Sequence, residues 1–150
     1  MRKLHDFSLS GHAHKVRLML SLLDLQYDRV EVSLGNGEQR NEAFSKLNPF
    51  HHVPVLEDEG LVIRDSHAII SYLTKKYAKE WYPDDATSSA RIHEWLSVAT
   101  NELSEGPGAA RLVNVFGAGL NKQTAIDKSH ELFTIMNEYL AENDWFALDR

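Results

Sequence analysis

Every strand signal in this chain lies ahead of WYPDDATSSA, the stretch that begins at Trp81. That partition restricts the fold more than any other feature. Residues 3–7 (KLHDF) are short and mixed enough for a first strand. Helical spacing follows, with Val16, Met19, Leu20 and Leu23 on one stripe. YDRVEVSL, residues 27–34, alternates and carries β-branched side chains, which predicts a second strand. GNGEQRNEAFSKLNPF is a polar loop with room for a short helix, ended by Asn48-Pro49. VPVLE and LVIRD then flank the turn DEG, a hairpin signal. Ser66 is placed to cap a further helix, whose inner face would be Ile69, Ile70, Leu73 and Tyr77.

This order, βαβ followed by ββα, predicts a compact α/β layer. Beyond Trp81 the pattern is helical only. Ile92, Trp95, Leu96, Ala99 and Leu103 form one stripe. Ile126, Leu132, Phe133, Ile135, Met136, Tyr139 and Leu140 form a wide apolar face. GPG at 106–108 should bend or split the first of these helices, because Pro107 has no backbone N–H to donate. The expected division is an α/β domain over 1–80, a linker over 81–86 and an all-α segment over 87–150. The last segment is too short for a confident core of its own, so it should lean on the first domain or on another chain.

Sixteen basic residues stand against 22 acidic ones, a formal charge of -6. That argues against nucleic acid or an anionic membrane as the main partner. No apolar run approaches the ~20 residues of a membrane span, and MRKLHDF lacks the apolar core of a signal peptide. A cytoplasmic location is therefore expected. Cysteine is absent, which removes disulfides, zinc–thiolate sites and CxxC pairs. Any thiol chemistry must use a small molecule's sulfur.

Three stretches could carry chemistry. VPV at 53–55 sets a proline at the head of a strand, a candidate for a cis bond that would turn the preceding backbone toward a peptide ligand. An ordinary trans proline opening a strand is the plainer reading of the spacing. In RDSHAII, Asp65 and Ser66 sit where helix-start N–H groups favour an anion, and Asp65 could hold an ammonium. A plain helix cap explains the same residues. FSLSGHAHKVR lacks the G-x-S-x-G elbow of a nucleophilic serine and the glycines and lysine of a phosphate loop. His12 and His14, two apart on a helix, diverge and make poor joint metal ligands. His51 and His52 could chelate, but no partner stands at suggestive spacing, so no metal is expected. What survives in that stretch is a cap whose hydroxyl could also donate to a ligand anion.

FSLSGHAHKVRLML, GEQRNEAFSKLNPFHHVPVLED and LVIRDSHAIISYLTKKY, in this order, resemble the cytosolic glutathione transferase superfamily in its serine-using, bacterial or plant-like branches. The resemblance implies a thioredoxin-like N-terminal domain followed by a helical domain. It implies that Pro54 is cis, that Val53 pairs its backbone with the cysteinyl part of glutathione, and that Asp65 and Ser66 take the γ-glutamyl end. Arg40 stands where a basic residue meets the glycine carboxylate, and His52 where glutamine is common. Ser10 resembles the residue that holds the sulfur, with Ser8 a step too early relative to KVR. Val113 and Phe116 are candidates for the electrophile pocket. WFALDR resembles the segment just before a buried, capped helix of the family, so the helical domain is expected to be incomplete.

The implied activity is transfer of glutathione to an electrophile, with peroxide reduction or removal of a thiol adduct as variants, in a homodimer. A glutathione-transferase-like interaction module without turnover is the alternative, and a helical adaptor using the Leu132 to Leu140 face is a third reading. The chemistry is physically sensible. Lowering a thiol from a pKa of ~8.5 by two units requires ~2.7 kcal/mol of preference for the anion. One hydroxyl donating to S⁻ supplies ~1.5–3 kcal/mol, and a helix N-terminus ~0.3–1 kcal/mol. Ser10 would then stabilise an anion rather than attack as a nucleophile.

Overall fold

The computed structural model describes residues 1–149. The chain divides between Tyr82 and Pro83 into two compact units. In the first, β1 (Lys3–Asp6), α1 (Gly11–Leu22) and β2 (Asp28–Glu31) form a crossover that leaves β1 and β2 parallel. After α2 (Glu42–Leu47) come β3 (Val55–Asp58), β4 (Leu61–Arg64) and α3 (Ser66–Tyr77). The sheet order is β2-β1-β3-β4, with β3 antiparallel to both neighbours. This is the thioredoxin-like arrangement expected of the first domain.

Adjacent residues on β3 explain why the sheet is covered on both faces. Side chains alternate along a strand, yet Val55 and Leu56 are both fully buried. Leu56 joins Leu4, Val16, Leu20, Ile69 and Leu73 in one core, to which α1 and α3 contribute. Val55 joins Val32, Phe44 and Val53 in a second core, to which α2 contributes Phe44. Two carboxylates are buried with them. Asp6 accepts from Arg17 Nη1 at 2.6 Å and from Arg29 Nε at 2.5 Å. Asp58 accepts from Tyr77 Oη at 2.8 Å and Tyr72 Oη at 3.0 Å, beside Arg2 and Lys76. Buried charge is tolerated here because it is paired and hydrogen-bonded.

Three local expectations change. β2 ends at Glu31 rather than running to residue 34, because Leu34–Asn36 and Glu38–Arg40 close as 3-10 turns around Gly37, which has φ 74°. Asp65, not Ser66, caps α3: its Oδ1 accepts from the N–H groups of His67 and Ala68 at 2.9 and 3.0 Å. Ser66 is the first helical residue and is buried. Tyr82 is also buried, with Lys75 Nζ 4.7 Å from its ring centre, so the chain leaves the first unit only at Pro83.

The second unit contains α4 (Ala86–Thr100), α5 (Ala109–Phe116) and α6 (Lys122–Glu142). Asp85 and Asn121 cap α4 and α6 through the N–H groups of Ser88 and Thr124. α4 ends at Thr100, followed by Asn101 with φ -100° and ψ -86°, and a π turn over Ser104–Gly108, with Pro107 inside it, then leads into α5. The expected split thus falls ahead of the GPG run, while Pro107 itself sits in a bulge that absorbs its missing N–H. Gly106 brings that turn against α6, where an added Cβ would lie 3.1 Å from the Ser129 backbone nitrogen. The face expected on α6 is narrower than its sequence suggests. Leu132 is buried and Ile126, Met136 and Tyr139 half-buried, but Phe133, Ile135 and Leu140 are exposed. One helix turns only one stripe inward, and these three fall beside it. Trp95, Tyr139 and Phe146 pack together, with Trp95 and Phe146 ring centres 4.3 Å apart. Among the described residues no helix is long and apolar enough to cross a membrane.

Candidate functional site

A cleft of about 620 Å³ opens in the first unit. Its walls come from the start of α1, the 3-10 turn at Glu38–Arg40, the loop between α2 and β3, and the start of α3. Ser10 caps α1, and its Oγ accepts from the Ala13 N–H at 3.2 Å. Accepting that bond occupies a lone pair and leaves the hydroxyl proton free to donate. Ser8 is exposed, and its backbone is engaged with Glu31 and Arg17 rather than with the cleft.

On the opposite wall the Val53–Pro54 bond is cis. The Val53 side chain is held in the second core, while its backbone N–H and C=O lie outside the sheet ladder, which starts at Val55. Asn48 braces this loop by donating from Nδ2 to the His52 carbonyl at 2.8 Å. At the third wall Asp65 has φ 74°, a conformation rarely taken by a residue with a Cβ and one that stores strain of ~1–3 kcal/mol. Both of its cap bonds use Oδ1, so Oδ2 is left over at an exposed position beside the cleft. Arg40 is exposed on the remaining wall.

Ser10, Arg40, His52, Val53, Pro54, Asp65 and Ser66 therefore all line one cleft. Val113 and Phe116 lie on α5 of the second unit, and the lining is entirely of first-unit residues. Several lining residues were not selected from the sequence. Arg64 stacks over Phe50, 5.4 Å from its ring centre. His51 has φ 58°, and its Nδ1 lies 2.9 Å from the Gln39 carbonyl. His12 Nδ1 lies 3.4 Å from Ser66 Oγ, linking the first turns of α1 and α3. Burial, then the charge of Lys15, pushes the His12 imidazole below its usual range against the pull of Asp65. Among the described residues no group of three His, Asp or Glu side chains is arranged to hold a metal ion.

Residues 4–81, just over half of the chain, match the family described as glutathione S-transferase, N-terminal domain. The chain belongs to the glutathione S-transferase family. Its relatives include glutathione S-transferase Z1 of Arabidopsis thaliana, 45% identical over 102 residues, which are 67% of this chain and 46% of that protein. Glutathione S-transferase T2 of the same plant is 30% identical over 149 residues, 97% of this chain and 25% of that one. Among solved structures, a possible glutathione S-transferase from Rhodopseudomonas palustris superposes with a TM-score of 0.88 at 30% identity, over 100% of this chain and 70% of that one. A glutathione transferase homologue from Drosophila mojavensis with bound glutathione gives 0.86 at 30% identity, over 99% and 69%. The chain thus spans a quarter to a half of these plant glutathione S-transferases, and about seven tenths of these two structures.

Proposed function

We propose that this glutathione S-transferase chain binds glutathione in the first-unit cleft, stabilises its thiolate and transfers it to an electrophilic small molecule. The observation that carries the reading is the meeting, in one cleft, of a free-proton hydroxyl at a helix start, an unladdered backbone before a cis proline, and a second helix start with a spare carboxylate oxygen.

Each part suits one part of the tripeptide. The Val53 N–H and C=O pair with the cysteinyl backbone as an added strand would. Asp65 Oδ2 takes the γ-glutamyl ammonium, and the N-terminal N–H groups of α3, with Ser66, take its carboxylate. Arg40 and His52 meet the glycine carboxylate. Ser10 then donates to the sulfur, where the α1 N-terminus adds its partial positive charge.

The same reading takes the first unit, Met1–Tyr82, as the glutathione-binding domain and residues 83–150 as the helical domain. Val113 and Phe116 are the candidate contacts for an apolar electrophile. It also places the protein in the cytoplasm as a homodimer, which light scattering tests by mass. The deciding experiment is calorimetric binding of glutathione with ultraviolet absorbance recorded at neutral pH. Binding with a thiolate band is expected. Binding without that band would replace the transferase with a glutathione-holding module, and the absence of binding would remove the reading altogether.

A further inference from the structure

We propose that His12 is a second catalytic residue of this cleft, the group that takes the proton from the glutathione thiol and later returns it. The inference rests on the glutathione reading above. Ser10 can stabilise a thiolate, but its hydroxyl donates and so cannot also receive the thiol proton. His12 is two residues further on, in the first turn of α1, and lines the same cleft.

Its geometry suits the task. Nδ1 is engaged at 3.4 Å by Ser66 Oγ, on the neighbouring helix start. The tautomer that donates Nδ1–H to this hydroxyl leaves a lone pair on Nε2. The charged and titratable groups around the ring are Lys15 on its own helix, Asp65 and His67 at the start of α3, and His52 on the loop before Pro54. Lys15 is drawn off toward His67, with Nζ 2.8 Å from Nε2. Burial and Lys15 keep the ring neutral near neutral pH, ready to accept. Once the thiolate forms beside it, the new negative charge holds the imidazolium.

The step balances. The S–H bond breaks, its electron pair stays on sulfur and the proton moves to His12 Nε2. The sulfur pair then bonds to the electrophilic carbon. The imidazolium gives its proton to the atom that receives the displaced pair, either the leaving group or the neighbouring atom in an addition. His12 ends neutral.

Counting protons tests this. Calorimetry of glutathione binding at neutral pH, in buffers of different ionisation enthalpy, gives the protons released to solvent. S-methylglutathione, which has no thiol proton, subtracts the contribution of every other group. In the unaltered chain we expect a thiolate band with almost no net release, because the proton stays on His12. In His12→Gln we expect the thiolate that still forms to be matched by release of about one proton per thiolate. A thiolate band with full release in the unaltered chain would overturn the assignment, as would identical counts in the two proteins. Binding with no thiolate, or no binding, would instead overturn the transferase or glutathione reading and this inference with it.

Discussion

Ser66 Oγ lies 3.4 Å from His12 Nδ1 and joins the first turns of two helices across 54 positions of sequence. Beside it, Lys15 Nζ lies 2.8 Å from His67 Nε2 and joins the same two helices. Burial, together with the Lys15 charge, pushes both histidines below their usual range. Lys15 itself is pushed down by burial despite the pull of Asp65. Burial thus disfavours the charged form of each group that ties these two helix starts together.

Ser10 combines a cap with a thiolate donor, and two substitutions separate these roles. Ser10→Ala removes both, so turnover should fall about 10- to 100-fold and stability by ~1 kcal/mol. Ser10→Asp restores the cap acceptor but cannot donate when ionised, so stability should return while turnover stays low. Glutathione affinity should change far less than turnover in Ser10→Ala. Wild-type turnover in either variant would remove Ser10 from the chemistry.

Asp65→Asn keeps an Oδ1 acceptor for the His67 and Ala68 N–H groups and a residue type that tolerates positive φ. It removes only the charge. Unfolding should be nearly unchanged, while the glutathione Kd should rise about 10- to 100-fold. Calorimetry and a urea titration on the same sample check the pair. An unchanged Kd would exclude Asp65 as the ammonium partner.

Asp58 governs acid stability. Burial raises its carboxyl, but donors from Tyr77 and Tyr72, with Arg2 and Lys76, outweigh burial and hold it below 3.8. A folded pKa below the unfolded one means the contribution is complete above 3.8 and is lost as pH falls through the folded value. Asp58→Asn should therefore be less stable by ~1–3 kcal/mol at neutral pH, with the gap closing in acid. Urea midpoints measured across that range would show parallel profiles if the pairing contributes nothing.

Gly106→Ala should destabilise the second unit by ~1–3 kcal/mol, because the new Cβ meets backbone atoms of Lys128 and Ser129 at 3.1 to 3.3 Å. Gly11→Ala is the control. It meets nothing within 4 Å and sits in the first turn of α1, so its thermal midpoint should hold or rise. Equal midpoints for the two variants would mean the π turn yields without cost.

Much of this molecule was determined by the sequence because the deciding interactions are short in range. Strand alternation, the DEG turn and the strand–helix order are properties of neighbouring residues, and the ββα half follows from them. Even so, choosing Asp65 over Ser66 as cap needed the backbone, since either oxygen could reach the same N–H groups until φ at residue 65 was known. The family motifs marked Ser10, Pro54, Asp65 and Ser66, which line the cleft because β1 and β4 end, and β3 begins, at the same end of the sheet's strands. Only the tertiary structure decided the rest. His12 gains its place from α1 packing beside α3, and no spacing within FSLSGHAHKVR contains Ser66. Asp6 and Asp58 look like solvated strand residues until Arg17, Arg29, Tyr72 and Tyr77 close over them. Periodicity also overstated α6, because it counts apolar residues, whereas burial depends on which of them another surface reaches.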